Sequence, residues 1–132
     1  MPGLTYLDAS AIVKLVVEED DSTALRGALR DRPHRVCSAV AFVEVHLAAA
    51  HRSPAPPASR VDTVLAGLAL IPVDWPTLQQ AAGLRLRGLR ALDAIHLASA
   101  QSLGDDLDAF VAYDQRLLAA ARASGLNVEE PR

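Results

Sequence analysis

The sequence contains few cysteines, lysines and aromatic residues, and these shortages argue against several classes of protein and site. One cysteine, Cys37, in 132 residues excludes an internal disulfide framework and a cysteine-rich zinc site. Aromatic residues make up 4% of the chain, which argues against an extended base-stacking platform for nucleic acid. No apolar run reaches the roughly 18 residues of a membrane-spanning helix. The N-terminal apolar stretch contains Asp8 and Lys14, unlike a signal peptide, so we expect a soluble cytoplasmic protein without a membrane partner.

The composition is that of a globular chain. Hydrophobic residues make up 51% and charged residues 22%, and the length suits a single domain covering residues 1–132. The net charge of −3 does not by itself indicate a nucleic-acid binder. However, if four acids belong to one metal site, the remaining surface is almost neutral, so a polyanionic substrate is not excluded.

The hydrophobic pattern predicts strands that alternate with helices. Strands are predicted at 4–7, 35–37, 70–73, 108–112 and 126–128. Helices are predicted at 9–17, 22–31, 39–52 (with Ser38 as N-cap), 57–68, 76–86, 91–103 and 114–124. This alternation implies right-handed crossovers and a mainly parallel sheet of four to five strands, an α/β fold with helices on both faces. We expect the tail, 129–132, to be frayed.

Two acids follow predicted strands. Asp8 comes directly after the strand at 4–7, and Asp114 comes just after the strand at 108–112. The carboxyl ends of parallel strands meet at one edge of a sheet, where open α/β proteins bind ligands. Each aspartate is also a good helix N-cap, a role worth about 1 kcal/mol. The two roles are compatible, because one carboxylate oxygen can cap a helix while the other faces a cation.

Glu44 lies in the middle of an apolar helix. Its neighbours one turn away are Val40, Ala41, Leu47 and Ala48, so we expect its side chain to project from a face that packs inward. A buried, unpaired carboxylate costs several kcal/mol. Either a cation or a salt bridge to a distant arginine is therefore expected to compensate it.

Asp93 lies in the first turn of the apolar helix at 91–103, where the helix dipole favours an acid by about 0.3–1 kcal/mol. His96 follows one turn later. The two side chains are spaced to share a metal ion. A lone histidine on an apolar helix is more often a hydrogen-bonded core residue, which is the interpretation we favour.

Taken together, the four acids predict a metal site. Two carboxylates about 4 Å apart repel by about 4 kcal/mol at an effective dielectric of 20. A cluster of four therefore needs a cation or partial protonation. Carboxylate oxygens favour hard Mg²⁺ or Mn²⁺ over zinc. This donor set indicates metal-assisted chemistry on a phosphate group.

Four segments in order resemble the motifs of PIN-domain nucleases. They are 7–11 with Lys14, the helix that contains Glu44, 92–98 and 110–117. The whole chain resembles the VapC-type toxins of bacterial type II toxin–antitoxin pairs. The resemblance implies a three-layer α/β/α sandwich and a Mg²⁺- or Mn²⁺-dependent endoribonuclease. Its in-line hydrolysis would leave 3′-hydroxyl and 5′-phosphate ends.

The resemblance also implies roles for individual residues. It assigns the catalytic and metal-binding positions to Asp8, Asp93, Asp114 and Glu44, the last of them acting through water. Ser10 matches a small polar position near the first acid. One departure is Ala112, which stands where the family commonly has Thr or Ser, so a hydroxyl that could place water or substrate is missing.

The family resemblance further implies a homodimer and a cognate antitoxin whose C-terminal segment covers the site. Apolar residues of the first two helices could form the groove for that segment, although we expect each of them to be core. They are Ile12, Val13, Leu15, Val16 and Leu25.

Four arginines lie close to the predicted site in sequence: Arg85, Arg87 and Arg90 precede Asp93, and Arg116 follows Asp114. They either contact the phosphates of an RNA substrate or form a solvated helix face. Arg90 and Arg116, with Ser10, are the predicted substrate-binding residues.

Several other functions fit part of this pattern. Receiver domains and haloacid-dehalogenase-like phosphatases share strand-end acids, but both families need a lysine from a late strand, and the one lysine here is Lys14. A non-enzymatic PIN-fold module that only pairs with an antitoxin is the main alternative; the four acids argue against it and Ala112 argues for it. The sequence does not distinguish RNA from DNA as the substrate.

Overall fold

The sheet is built around the strand that precedes Asp8. The computed structural model describes residues 3–86 and 88–132. Its five strands are β1 (Leu4–Leu7), β2 (Arg35–Ser38), β3 (Ala69–Ile71), β4 (Leu107–Val111) and β5 (Val128–Glu129). All neighbouring pairs are parallel, in the order β3-β2-β1-β4-β5. The prediction of a parallel α/β sheet is confirmed, with β1 and β4 adjacent at its centre.

The helices form two groups. Within the described ranges there are seven: α1 (Ala9–Val16), α2 (Ser22–Leu29), α3 (Ala41–Ala50), α4 (Ala58–Ala66), α5 (Trp75–Gly83), α6 (Ala91–Gln101) and α7 (Gln115–Ala123). Helices α2, α3 and α4 pack against α1, whereas α5 and α7 pack against α6. With the sheet between them, the two groups make the three-layer α/β/α sandwich that the family resemblance implies.

Local sequence explains where the helices begin and end. Asp74 caps α5 by accepting a hydrogen bond from the backbone N–H of Thr77, and Pro76 occupies the first turn, where its missing N–H costs nothing. At the C-terminal end of α7, Gly125 adopts a positive φ of 83°. The N–H of Leu126 then bonds to the carbonyl of Ala121, closing the helix with a Schellman-type turn.

Most predicted boundaries differ from those in the structure by one to three residues, and three of these differences have a clear physical reason. Ser38 does not cap α3: it is the last residue of β2, paired with Ile71, and Val40 takes the cap position. Strand β3 ends at Ile71 rather than residue 73, because Pro72 has no N–H to continue the ladder. Strand β5 begins at Val128 rather than 126, since the turn that closes α7 uses Leu126.

The expectation of a frayed tail is wrong. Glu129 belongs to β5, and its carboxylate pairs with Arg32 at 2.7 Å. The Tyr113 hydroxyl donates to the carbonyl of Pro131 at 2.8 Å, and Arg132 lies 3.5 Å from the Asp21 carboxylate. These contacts join residues far apart in sequence, which no local pattern indicates.

The core lies on both sides of the central strands. Tyr6 and Phe110 are register partners on β1 and β4, and their rings stack at 5.3 Å. The apolar residues of the first two helices are core, as expected: Ile12, Val13, Val16 and Leu25 are buried and Leu15 is partly buried. None of the helices in residues 3–86 and 88–132 has the length and apolar character needed to cross a bilayer.

Candidate active site

Asp8 and Asp114 lie at the carboxyl ends of two adjacent parallel strands, β1 and β4. Each is the N-cap of the helix that follows. Asp8 Oδ1 accepts from the Ala11 N–H at 3.1 Å, and Asp114 Oδ1 accepts from the Leu117 N–H at 3.0 Å. The two carboxylates are therefore held at the same edge of the sheet by helix capping, which leaves the second oxygen of each free of the cap.

Asp8 is the most deeply buried of the four acids, at 4% exposure. Burial raises the pKa of its carboxyl from 3.8 to about 6, against the lowering effect of a hydrogen bond from Ser10. The nearby charge of Glu44 also raises this pKa. A buried carboxylate that still ionises near neutral pH is suited to holding a cation.

Ser10 connects the ends of β1 and β4. Its hydroxyl donates to Asp8 Oδ1 at 2.6 Å and accepts from the backbone N–H of Tyr113 at 3.0 Å. Ala112, where the resemblance leads one to expect a hydroxyl, is fully buried in the core. The hydroxyl that contacts the first acid therefore comes from Ser10.

Among the described residues, the partner of Glu44 is His96 rather than a distant arginine. Glu44 Oε1 lies 2.6 Å from His96 Nε2, and its side chain is 23% exposed. The expectation that its helix face packs inward is wrong in part, because Leu47, one turn away, is 57% exposed. Helix α3 buries its opposite side, through Val45 and Ala49, so Glu44 sits at the border between core and solvent.

His96 is a hydrogen-bonded core residue, which is the interpretation that we favoured from the sequence. It is 1% exposed, and Nδ1 lies 2.7 Å from the Tyr6 hydroxyl. That hydroxyl in turn accepts from the backbone N–H of Ser38 at 3.0 Å. The sequence analysis missed Tyr6. Tyr6 could have been found as a side chain with a polar tip in a central strand. It lies two residues before Asp8, and residues two apart in a strand point to the same face of the sheet.

A cavity of about 640 Å³ brings the other three acids together. It is lined by Glu44, Asp93 and Asp114, with Arg90 and Arg116 at the same opening. Asp93 is half-buried in the first turn of α6, and its pKa is raised by burial and by the charge of Asp114. Asp8 does not line the cavity but interacts electrostatically with Glu44. The four predicted acids therefore belong to one connected region.

The arginines divide into two groups. Arg90, at the N-cap of α6, and Arg116, in the first turn of α7, are exposed at the acidic cavity. Arg85 lies on a neighbouring, mainly apolar cavity of about 350 Å³, which shares Arg90 with the acidic cavity but none of its acids, and Arg85 has a positive φ of 50°. Arg87 lies outside the described residues. Arg90 and Arg116 are thus placed to meet an anion at the acidic site, and Arg85 is not.

Comparison with known proteins identifies the family. A family model described as "PIN domain" matches residues 5–123. Ribonuclease VapC46 of Mycobacterium tuberculosis is 49% identical over 127 residues, which cover 96% of each chain. The chain belongs to the VapC-type ribonuclease toxins, PIN-domain proteins of toxin–antitoxin systems.

Solved structures of VapC-type and related toxins share the fold. VapC20 of Mycobacterium tuberculosis, a Sarcin-Ricin loop cleaving toxin, matches with a TM-score of 0.71 at 16% identity, covering 88% of this chain and 94% of that one. A toxin–antitoxin complex from Klebsiella pneumoniae matches with a TM-score of 0.68 at 20% identity, covering 87% and 90%. At these identities the likeness concerns the fold alone.

VapC ribonucleases are typically metal-dependent, and the donors present here suit a hard cation. Three carboxylates line one cavity, and a fourth carboxylate, Asp8, is desolvated beside them. Within the part of the chain that the structure describes, no three His, Cys, Asp or Glu side chains converge tightly enough to form a ligand set. The chemistry of the donors therefore fits Mg²⁺ or Mn²⁺, and binding requires these side chains to draw together.

Proposed function

We propose that this chain hydrolyses RNA phosphodiester bonds at the acidic cavity, with Mg²⁺ or Mn²⁺ held by Asp8, Asp93 and Asp114. The observation that carries the proposal is that three carboxylates and two arginines line one cavity, with Asp8 buried nearby. Acids alone would repel a phosphodiester. The same acids with a divalent cation, flanked by arginines, attract it.

The bound ion would supply a Lewis acid for the scissile phosphate and would lower the pKa of a coordinated water. Each protein group has a separate task. Asp8 and Asp114 are held in place by helix capping, and Asp93 is placed by the first turn of α6. Glu44 orients water through the carboxylate oxygen that His96 does not occupy. Arg90 and Arg116 bind the phosphates that flank the cleavage site.

The proposed partners are the RNA substrate, a cognate antitoxin whose C-terminal segment covers the site, and a second copy of the chain. A toxin–antitoxin complex from Klebsiella pneumoniae is among the structural neighbours, which supports the antitoxin as a partner. Exposed apolar side chains on α3, namely Phe42, Val43 and Leu47, support a homodimer, since a contiguous apolar patch of this sort favours association. Sedimentation of the wild-type chain and a Val43→Asp variant tests that interface.

The central experiment measures RNA cleavage by the antitoxin-free chain in Mg²⁺, in Mn²⁺ and in excess EDTA. We expect cleavage with either metal, none in EDTA, and products with 5′-phosphate and 3′-hydroxyl ends. Asp93→Asn should abolish cleavage and leave the circular dichroism spectrum unchanged. Asp105→Asn is the matched control, because Asp105 is an exposed acid outside the site.

Four outcomes would contradict the proposal. Full cleavage in EDTA, or by Asp93→Asn, would refute the metal assignment. Failure to bind Mn²⁺ at millimolar concentration in calorimetry would favour a binding module that only pairs with an antitoxin. Equal cleavage of single-stranded DNA of the same sequence would show that the substrate class is wrong.

A further inference from the structure

A buried chain of hydrogen bonds leads from β2 to the acidic cavity through residues to which the proposed chemistry assigns no task. The Ser38 N–H donates to the Tyr6 hydroxyl at 3.0 Å, Tyr6 meets His96 Nδ1 at 2.7 Å, and His96 Nε2 meets Glu44 Oε1 at 2.6 Å. Only the last member, Glu44, lines the cavity.

The direction of each hydrogen bond follows from the donors available. The phenol of Tyr6 keeps its single proton at neutral pH, because the ordinary pKa of tyrosine is about 10. A carboxylate can only accept, so Glu44 requires a proton on His96 Nε2. The lone pair of Nδ1 is left to accept from the Tyr6 hydroxyl, whose oxygen already accepts from the Ser38 N–H. With Nδ1 accepting, the ring carries its proton on Nε2 and donates it to Glu44.

Packing holds the two rings of this chain in place. Tyr6 is fully buried and stacks on Phe110 with an angle of 7° between the ring planes. The ring of His96 meets Tyr6 edge-on, at 82° and 5.9 Å between centroids. Neither ring can turn without opening the core, so the Nε2–H of His96 is a rigidly placed donor.

The same geometry excludes the role of metal ligand that the spacing of Asp93 and His96 allows. A metal-bound histidine needs a free lone pair on one ring nitrogen. In His96, Nδ1 accepts from Tyr6 and Nε2 donates to Glu44, so both nitrogens are engaged.

We propose that His96 is a positioning residue that fixes the Glu44 carboxylate at the edge of the cavity, with Tyr6 setting the ring tautomer. Glu44 comes from α3 and is partly open to solvent, so without this donor its flexible side chain would be free to leave the site. The hydrogen bond occupies Oε1 and leaves Oε2 for a metal-bound water. This inference rests on the proposed function and adds a device that prepares the site before metal arrives.

Two amide substitutions of His96 separate the two ends of its ring. In His96→Gln the amide nitrogen reaches the position of Nε2 and can still donate to Glu44. In His96→Asn the amide reaches only the position of Nδ1, so the contact with Tyr6 is kept and that with Glu44 is lost. Thermal unfolding, followed by circular dichroism, is recorded for both variants to confirm that each is folded.

Calorimetric titration with Mn²⁺ is the first measurement. We expect His96→Asn to weaken Mn²⁺ binding by about tenfold, the lower end of the loss typical when hydrogen bonding around a metal site is removed, and His96→Gln to bind close to the wild-type level. In a Glu44→Gln background the His96→Asn change should have no further effect. An equal loss in both backgrounds, or no loss in either, would overturn the proposal.

Nitrogen-15 NMR of the imidazole ring is the second measurement, and it needs neither metal nor activity. We expect the Nε2–H tautomer in the wild-type chain and in Glu44→Gln, whose amide can accept or donate, and a mixture of tautomers when Tyr6→Phe is added to Glu44→Gln. An Nδ1–H ring in the wild-type chain would overturn the proposal. If the wild-type chain bound no Mn²⁺, the proposal of a metal-dependent function would be refuted. The NMR measurement would still decide whether Tyr6 holds the His96 ring in the tautomer that donates to Glu44.

Discussion

The hydroxyl of Ser10 donates a 2.6 Å hydrogen bond to the buried carboxylate of Asp8. The same oxygen accepts from the backbone N–H of Tyr113, just beyond the end of β4. One side chain of α1 thus joins the ends of the two central strands and stabilises the charged form of the first acid. Four predictions follow from this arrangement and from the groups around it.

Replacing Ser10 with alanine removes the hydrogen bond that lowers the pKa of Asp8. We expect the carboxyl to ionise above its present value of about 6, so that the acid limb of the pH–activity profile moves to higher pH. A hydrogen bond to a charged group contributes about 1.5–3 kcal/mol, and folding stability should fall by an amount of this order. Ser10→Thr keeps the hydroxyl and is the control; a profile unchanged in Ser10→Ala would contradict the prediction.

Asp8 makes the metal-free protein less stable as the pH rises. Its pKa is about 6 in the folded state and 3.8 ordinarily, so the folded state holds the proton more tightly. The resulting stabilisation is complete below pH 3.8 and is lost as the pH passes through about 6. A shift of this size corresponds to about 3 kcal/mol. Because asparagine keeps the cap, Asp8→Asn should unfold at higher denaturant than the wild type at pH 8 in EDTA.

The control for this prediction is the same pair of proteins at pH 4, where the two should have nearly equal stability. Saturating Mn²⁺ at pH 8 should stabilise the wild-type chain and not Asp8→Asn, since only the carboxylate holds the ion. A wild-type chain as stable at pH 8 as at pH 4 without metal would show that the desolvation of Asp8 is smaller than the structure indicates.

Asp114 combines a structural and a chemical role that two substitutions separate. Its carboxylate caps α7 through the Leu117 N–H, and it also lines the acidic cavity. Asparagine is as good a cap as aspartate, so Asp114→Asn should lose RNA cleavage without a change in thermal stability. Asp114→Ala should lose cleavage and, in addition, about 1 kcal/mol of stability. Equal unfolding of the two variants would argue against the cap.

Arg90 and Arg116 should account for part of the salt dependence of RNA binding. Each lies at the opening of the acidic cavity and is exposed. If each neutralises one phosphate, replacing either with alanine should reduce the slope of log affinity against log salt by about 0.7, the value for single strands. Arg60→Ala, on α4 and away from the acidic cavity, is the control; an unchanged slope in Arg90→Ala and Arg116→Ala would remove both from the interface.

Much of this architecture is readable from local sequence. Strand and helix order, the parallel sheet and the positions of Asp8 and Asp114 all follow from apolar periodicity and from acids that succeed short β-rich runs. Helix caps and strand ends are local features, because each depends on residues within about one turn of each other. Two of the misplaced boundaries, at Ser38 and Leu126, lie where pairing with another strand or closure of a helix decided the outcome.

The sequence by itself determined which side chains carry charge, which elements they begin, and that acids would gather at the carboxyl edge of a parallel sheet. Only the tertiary structure decided their partners. Glu44 and His96 are 52 residues apart, and Tyr6 and His96 are 90 apart, so no periodicity relates them. Each pair meets because burial leaves a polar group no water to bond with, and it must then bond to whichever polar group the packing of distant elements brings beside it.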